Sequence, residues 1–405
     1  MGNSNNILTN NINDLLKEFF TALQLNEING TFQSISQPTH QPSTRQIDIS
    51  AENINRRMFI DGVITYAKIN LAEDVYPKLL LELAKLLADS EEINLAEEIL
   101  HISMGKVRSK SYYAESLLVI ADIFIRKAYG DKSYILIDQA KEIFAKRDDK
   151  HGLAKCENLY GIIYGERGDL KKSREYFLCS RDLLQNTTNT KFSAQVEMNL
   201  GIIENIFGNF SNAEKHFLDA LHKFEALNEQ KQVAELKHNL GMFYVEQQDY
   251  KKAIEEFDKG IAISLRKNYK TILTISYLGK ANALLCLGNY NDASEYTNKA
   301  MDTAIIIEDK LTIADVYRIT GILERKLKYY DTAEKYFQIS LRLNTELNNK
   351  LNLAETSFEL GLLNSEIGNE NEKNYWLKES LKYYTDNNVK HKIKIIDEML
   401  QTELN

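Results

Sequence analysis

NLGMFYVEQQDYKKAIEEFDKGIAIS, residues 239–264, has a counterpart 40 residues earlier, NLGIIENIFGNFSNAEKHFLDALHKF at 199–224. A further 40 residues upstream stands LYGIIYGERGDLKKSREYFLCSRDLL, residues 159–184. The same pattern continues downstream, so Gly161, Gly201, Gly241, Ala281, Gly321 and Gly361 form one column. Ser173, Ala213, Ala253, Ala293, Ala333 and Lys373 form a second. Phe177, Phe217, Phe257, Thr297, Phe337 and Leu377 form a third, four residues further on. Ser180, Ala220, Gly260, Ala300, Ser340 and Ser380 complete the set. Ala114, Ala121, Ser133 and Ala140 carry the period one unit back, and Ala84, Ala96 and Ser103 mark a weaker unit before that.

Helix packing accounts for these columns. Small residues let two antiparallel helices approach closely, and an aromatic residue four positions after a small one shares its face and fills the gap. No proline follows Pro77, and the chain beyond it is rich in helix formers. Short turns such as RGDL, FGNF, QQDY, LGNY and IGNE separate the helices. Gly168, Gly208, Gly288 and Gly368 suit a left-handed helix end there. Asp169, Asn209, Asp249 and Asn289 suit the cap of the following helix. Each unit is then a helical hairpin with an uncovered apolar flank, which stacking buries. The expected fold is all-α, a right-handed superhelical solenoid of antiparallel helix hairpins.

The pattern L-G-x6-G-x-[YF]-x2-A-x3-[YF]-x2-A, as in Leu200, Gly201, Gly208, Phe210, Ala213, Phe217 and Ala220, resembles the tetratricopeptide repeat (TPR) family. The resemblance covers about residues 77–390. The period is 40 residues where the family has 34, and no proline closes the units, which implies longer helices. This is similar to the 40-residue-repeat subgroup of kinesin light chains, polarity adaptors and bacterial peptide-sensing regulators.

Composition removes several function classes. The 405 residues carry 50 basic and 58 acidic side chains, a net charge of −8, unlike a nucleic-acid footprint. Apolar runs fall short of the ~18 residues of a membrane span, and the start does not have the form of a signal peptide. Cys156, Cys179 and Cys286 form no CxxC and are expected as buried thiols in a reducing cytoplasm. Neither HExxH, GxxxxGK[ST] nor GxSxG occurs, and the seven histidines show no metal-ligand spacing. The sequence therefore argues against an enzyme and implies neither metal nor cofactor.

The ends differ from the repeats. Residues 1–50 are expected as a polar region with a short amphipathic helix over 12–25, followed by a flexible linker around GTFQSISQPTHQPSTRQ. Ile12, Leu15, Leu16, Phe19, Phe20 and Leu23 form its apolar face, which either packs on the array, docks onto a partner or a second copy, or stays disordered. Residues 51–76 are read as a leading helix, 77–389 as about eight hairpins, and 390–405 as a capping helix over the last unit. Trp376 is expected to pack.

In the resembled family the first helix of each hairpin lines the concave face. That resemblance implies groove positions at Lys155, Asn158, Gln195, Met198, Asn199, Asn205, Glu235, His238, Asn239, Met242, Asn282, Asp315, Arg318, Arg325 and Phe358. Asn158, Asn199 and Asn239 either bond a peptide backbone or bridge neighbouring units. Met198 and Met242 offer either ligand contacts or ordinary packing. Arg318 and Arg325 share a helix face and suit a carboxylate, or are simply solvated. Glu235 and Asn239 stand where the family's clamp for chaperone tails needs basic residues, which argues against that ligand. The expected function is a scaffold or adaptor gripping a peptide or helical segment of another protein. The alternatives are a peptide-responsive sensor that changes curvature and a self-assembling array.

Overall fold

The computed structural model describes residues 3–33, 45–90, 92–105, 109–127, 129–185 and 190–401. The stretch expected as a flexible linker falls largely outside the described residues. Among these residues there are twenty α-helices and no strand. None of the helices is long and apolar enough to cross a membrane. The chain divides into two compact units, Met1–Ile123 and Phe124–Asn405.

The first unit holds α1 (Asn3–Leu16), α2 (Ala22–Gln33), α3 (Arg45–Asn70), α4 (Tyr76–Asp89), α5 (Ile93–Met104) and most of α6 (Lys110–Arg126). Residues 12–25 cross the end of α1, a turn and the start of α2. Their apolar face is turned inward. Ile12, Leu16 and Phe20 are buried together with Leu8 and Ile28, while Leu23 is exposed. Helix α1 packs on α4, α2 on α3, and α4 on α5. This burial removes most of the face that was open to self-association. Phe20 meets the edge of Tyr66 at 5.6 Å, and the Tyr66 hydroxyl donates to Glu27 at 2.6 Å.

The second unit runs through α7 (Gly130–Lys146), α8 (Lys150–Glu166), α9 (Leu170–Leu183), α10 (Thr190–Ile206), α11 (Phe210–Ala226), α12 (Gln230–Glu246) and α13 (Tyr250–Lys267). It continues with α14 (Lys270–Cys286), α15 (Tyr290–Ile306), α16 (Lys310–Lys326), α17 (Tyr330–Glu346), α18 (Lys350–Ile367), α19 (Glu370–Asn387) and α20 (Lys390–Gln401). Helices α8 to α19 pair in sequence as six hairpins. The glycine and phenylalanine columns meet within each hairpin. A Cβ built on Gly161 or Gly241 would lie 2.5 Å from the ring of Phe177 or Phe257. On Gly201 or Gly321 it would lie 2.6 Å from Phe217 or Phe337. Where the column holds Ala281, the partner shrinks to Thr297, whose hydroxyl bonds the Ala293 carbonyl at 2.7 Å. Gly260 serves another contact, since a Cβ there would sit 3.2 Å from the Ala234 carbonyl oxygen.

The turns are more regular than the glycines suggest. Among the described residues, left-handed positions stand twenty apart from Asp148 to Gly168 and from Gly208 to Asn388, at both kinds of turn. Within hairpins they are Gly168, Gly208, Gln248, Gly288, Lys328 and Gly368. Between hairpins they are Asp148, Asn228, Asn268, Glu308, Asn348 and Asn388. Asparagine tolerates this conformation better than most side chains do, which explains its recurrence in the second group. Asp169, Asp249 and Asn289 cap the next helix as expected. Asn209 does not, because its amide donates to Glu204 at 2.7 Å. Asp149, Asp309 and Asn349 cap the first helices in the same way.

Two packing expectations need correction. Cys156 is buried, but Cys179 and Cys286 are exposed. Cys179 lies two residues past the inward Phe177, on the other side of α9, and Cys286 is the last residue of α14. Glu256 on α13 is half-buried and pairs with Lys237 across the hairpin at 3.2 Å. Trp376 packs, half-buried, against a core that includes Phe337 and Leu363.

Candidate functional site

Successive first helices pack on one another along the whole series α8, α10, α12, α14, α16 and α18. Successive second helices do so to no comparable extent. The side with the closer helices is the inner arc of a curved stack, so the first helices form the concave wall of this unit. The implied groove positions lie on these six helices, and the structure sorts them into three groups.

The first group is packing. Met198 is fully buried in the core that contains Phe217, Phe224 and Phe243, and offers no ligand surface. Met242 is half-buried against Ala253, Phe257 and Ala283. Phe358 is half-buried against the core that includes Val196 and Leu377. The bulk at these positions fills the joints between hairpins.

The second group is a paired charge network on α16 and α18. Arg318 holds Glu355 at 2.9 Å and Asp315 at 3.3 Å. Asn352 donates to Asp315 at 2.9 Å. Arg325, only 4% exposed, holds Glu359 at 2.7 Å and also bonds Glu366. Burial pushes the Asp315 carboxyl up to about 6, against the opposing pull of Arg318. Burial alone would lower Arg318, but Glu355, Asp315 and Glu359 outweigh it and raise the guanidinium. Asp315 keeps 26% of its side chain in solvent. The solvated reading of the two arginines is therefore wrong. Their partners Glu355, Glu359 and Glu366, and Asn352 on Asp315, escaped sequence reasoning because each lies about a full unit away, on a neighbouring hairpin.

The third group lies on α8, α10 and α12. Asn199 donates to Asn158 at 2.9 Å, so these two asparagines bridge neighbouring hairpins. Asn239, one unit on, is left over. Its Nδ2 is buried with no hydrogen-bond partner on the chain, and so are Asn205 Oδ1, Gln232 Oε1 and His238 Nδ1. Burial drives the His238 imidazole down to about 4, so it is neutral near pH 7. Its ring lies 5.6 Å from that of Phe257. Lys155, Gln195, Glu235 and Asn282 are half-buried on the same row of helices. An orphaned polar atom inside a wall costs roughly 1–3 kcal/mol unless something meets it. Among the described residues no group of three or more His, Cys, Asp or Glu is arranged to hold a metal ion.

A tetratricopeptide repeat family model matches residues 232–306, which lie within α12 to α15. None of the curated proteins matches the chain. Solved structures do. A Rap protein complexed with competence and sporulation factor is similar over 92% of this chain and 98% of its own, with a TM-score of 0.62 and 14% identity. The Rap conjugation gene regulator of plasmid pLS20, in complex with a Phr peptide, is similar over 84% and 94%, with a TM-score of 0.55 and 14% identity. Aspartyl phosphate phosphatase F from Bacillus subtilis is similar over 94% and 93%, with a TM-score of 0.52 and 13% identity. At such identities the likeness concerns the fold. The chain is a TPR-like helix-hairpin repeat protein whose architecture resembles that of the Rap regulators.

Proposed function

We propose that the second unit is a protein-interaction array that takes a short, extended peptide on its concave wall, over α10 and α12. The observation that carries this is the set of orphaned polar atoms there, on Asn205, Gln232, His238 and Asn239. An asparagine amide has a donor and an acceptor at one tip, and matches a peptide unit with both. Turning the Asn239 amide outward exchanges an unmet nitrogen for a ligand carbonyl. Neutral His238 and half-buried Met242 flank it with little charge, so the peptide backbone is the feature read at this point.

A second reading concerns the response. Peptide binding regulates the chain, in the manner of the 40-residue-repeat peptide sensors. Supporting it, one of the similar structures holds a Phr peptide and another a competence and sporulation factor, and the likeness covers 84% and 92% of this chain respectively. Helices α10 to α19, each of 17 or 18 residues, and the left-handed positions every twenty residues from Gly208 to Asn388 also fit that subgroup.

The test is selection of linear peptides of about six residues from a displayed library on the full chain, followed by calorimetry of the enriched peptide. Losing one backbone-directed amide in Asn239→Ala is expected to weaken binding about tenfold. Failure to enrich any peptide, or equal affinity in the variant, overturns the reading.

A further inference from the structure

The second unit touches itself across its whole repeat series. The Tyr383 hydroxyl, on α19, donates to the Gly168 carbonyl at 2.8 Å, 215 residues away. The Leu170 N–H donates to Asn387 Oδ1 at 3.0 Å, across 217 residues. Lys171 Nζ donates to the Asp386 carbonyl at 2.5 Å. Just beyond, α20 sets His391 against the α10–α11 turn. A Cβ on Gly208 would lie 2.7 Å from His391 Nδ1. Lys392 pairs with Glu246, at the end of α12, at 3.2 Å. One core joins the two ends, with Leu170, Phe177, Val196 and Ile203 on one side and Leu377, Tyr384, Val389 and Ile396 on the other. A half-open cavity of about 290 Å³ follows the same seam, between Asp131 and Arg167 on one side and Leu311 and Asn348 on the other.

We infer that the end of α19 together with α20 forms a latch that closes one turn of this solenoid. A repeat array is held by nearest-neighbour interfaces, so its curvature is soft and the first hairpin has no direct hold on the sixth. The seam supplies that hold. It uses groups that the repeats leave unspent. Leu170 N–H belongs to the first turn of α9, where an amide has no intrahelical partner. Lys392 and Glu246 keep 34% and 28% of their side chains in solvent, so this pair is the openable edge. The expectation that α20 only covers the last hairpin is thus too narrow. The latch also reaches the proposed site. Helices α10 and α12 carry the orphaned polar atoms, and their C-terminal ends carry the Gly208 turn and Glu246 that receive α20. Closing the latch fixes the spacing of the wall, and this regulatory part rests on the peptide reading above.

Amide exchange and small-angle X-ray scattering on the full chain, without peptide, test the latch. In Asn387→Ala the Leu170 amide is expected to exchange about five- to tenfold faster, with amides of α14 and α15 unchanged. Lys392→Glu, which sets two carboxylates together, is expected to enlarge the radius of gyration. Glu246→Lys combined with Lys392→Glu is expected to restore it, which loss of folding would not allow. Unchanged Leu170 exchange in Asn387→Ala, or no rescue by the double exchange, overturns the latch. These measurements use no peptide. A latch that passes while no peptide is enriched sinks only the peptide reading, and the reverse result sinks only the latch.

Discussion

The two halves of the concave wall answer the same problem in opposite ways. On α16 and α18, buried charges meet one another: Arg318 with Asp315 and Glu355, Arg325 with Glu359 and Glu366. On α10 and α12, neutral polar groups end without partners. The first half is dominated by ion pairs, which leave Arg318 Nε and Arg325 Nε as its own unmet atoms. The second has no such ion pairs among its orphaned groups, and this difference is what the proposed peptide site rests on. The helices are alike in length and packing, so the contrast lies in side chains alone.

Five experiments probe this contrast, in falling order of effect. Arg325→Ala strands Glu359 in a buried wall, so urea denaturation should show a loss of about 3–5 kcal/mol. A loss below about 1 kcal/mol would place that network among surface pairs of little weight. Next, Gly201→Ala and Gly321→Ala ask whether the halves differ beneath the wall. Each places a Cβ 2.6 Å from a phenylalanine ring, so each should cost about 1–3 kcal/mol, and equally. Unequal costs would show that the scaffold, and not only its lining, differs between the halves.

Asp315→Asn concerns pH. A carboxyl held near 6 binds its proton more tightly folded than unfolded. Its contribution is full below about 4 and is lost as pH rises through about 6. The variant should remove about 1–2 kcal/mol of that pH dependence, less than the full linkage because part of the side chain is in solvent. A difference between wild type and variant that is flat from pH 4 to 7 would refute the assignment. His238 predicts the opposite slope. Its folded value near 4 means that stability present above about 6.5 is lost as pH falls towards 4, and His238→Gln should remove that loss. Smallest of all, Asn239→Ala should change stability by no more than about 1 kcal/mol, since its amide nitrogen has no bond to lose. A loss of several kcal/mol would make Asn239 a structural bridge like Asn158 and Asn199.

Much of the scaffold is legible in the sequence. The contact of Gly201 with Phe217 follows from small and aromatic residues recurring at fixed spacing. The left-handed ends at Gly168, Gly208, Gly288 and Gly368 follow from turn chemistry. The matching turns at Asn228, Asn268, Asn348 and Asn388 were also present as a column of asparagines, but a search for glycine passes over them. The candidate site was half legible. Helical register put Asn199 and Arg318 on one wall, but could not tell that Asn199 is occupied by Asn158, or that Arg318 has two carboxylates.

By itself the sequence determined the repeating unit, because the contacts within a hairpin join residues close in the chain and recur with its period. It also determined the helix ends, whose backbone demands are local. Only the tertiary structure decided which inner polar groups are satisfied, because their partners lie a full unit away on another helix. Only it brought Tyr383 to Gly168 and Lys392 to Glu246. That closure depends on a small rotation at each hairpin joint, summed over many joints, and no single repeat contains it.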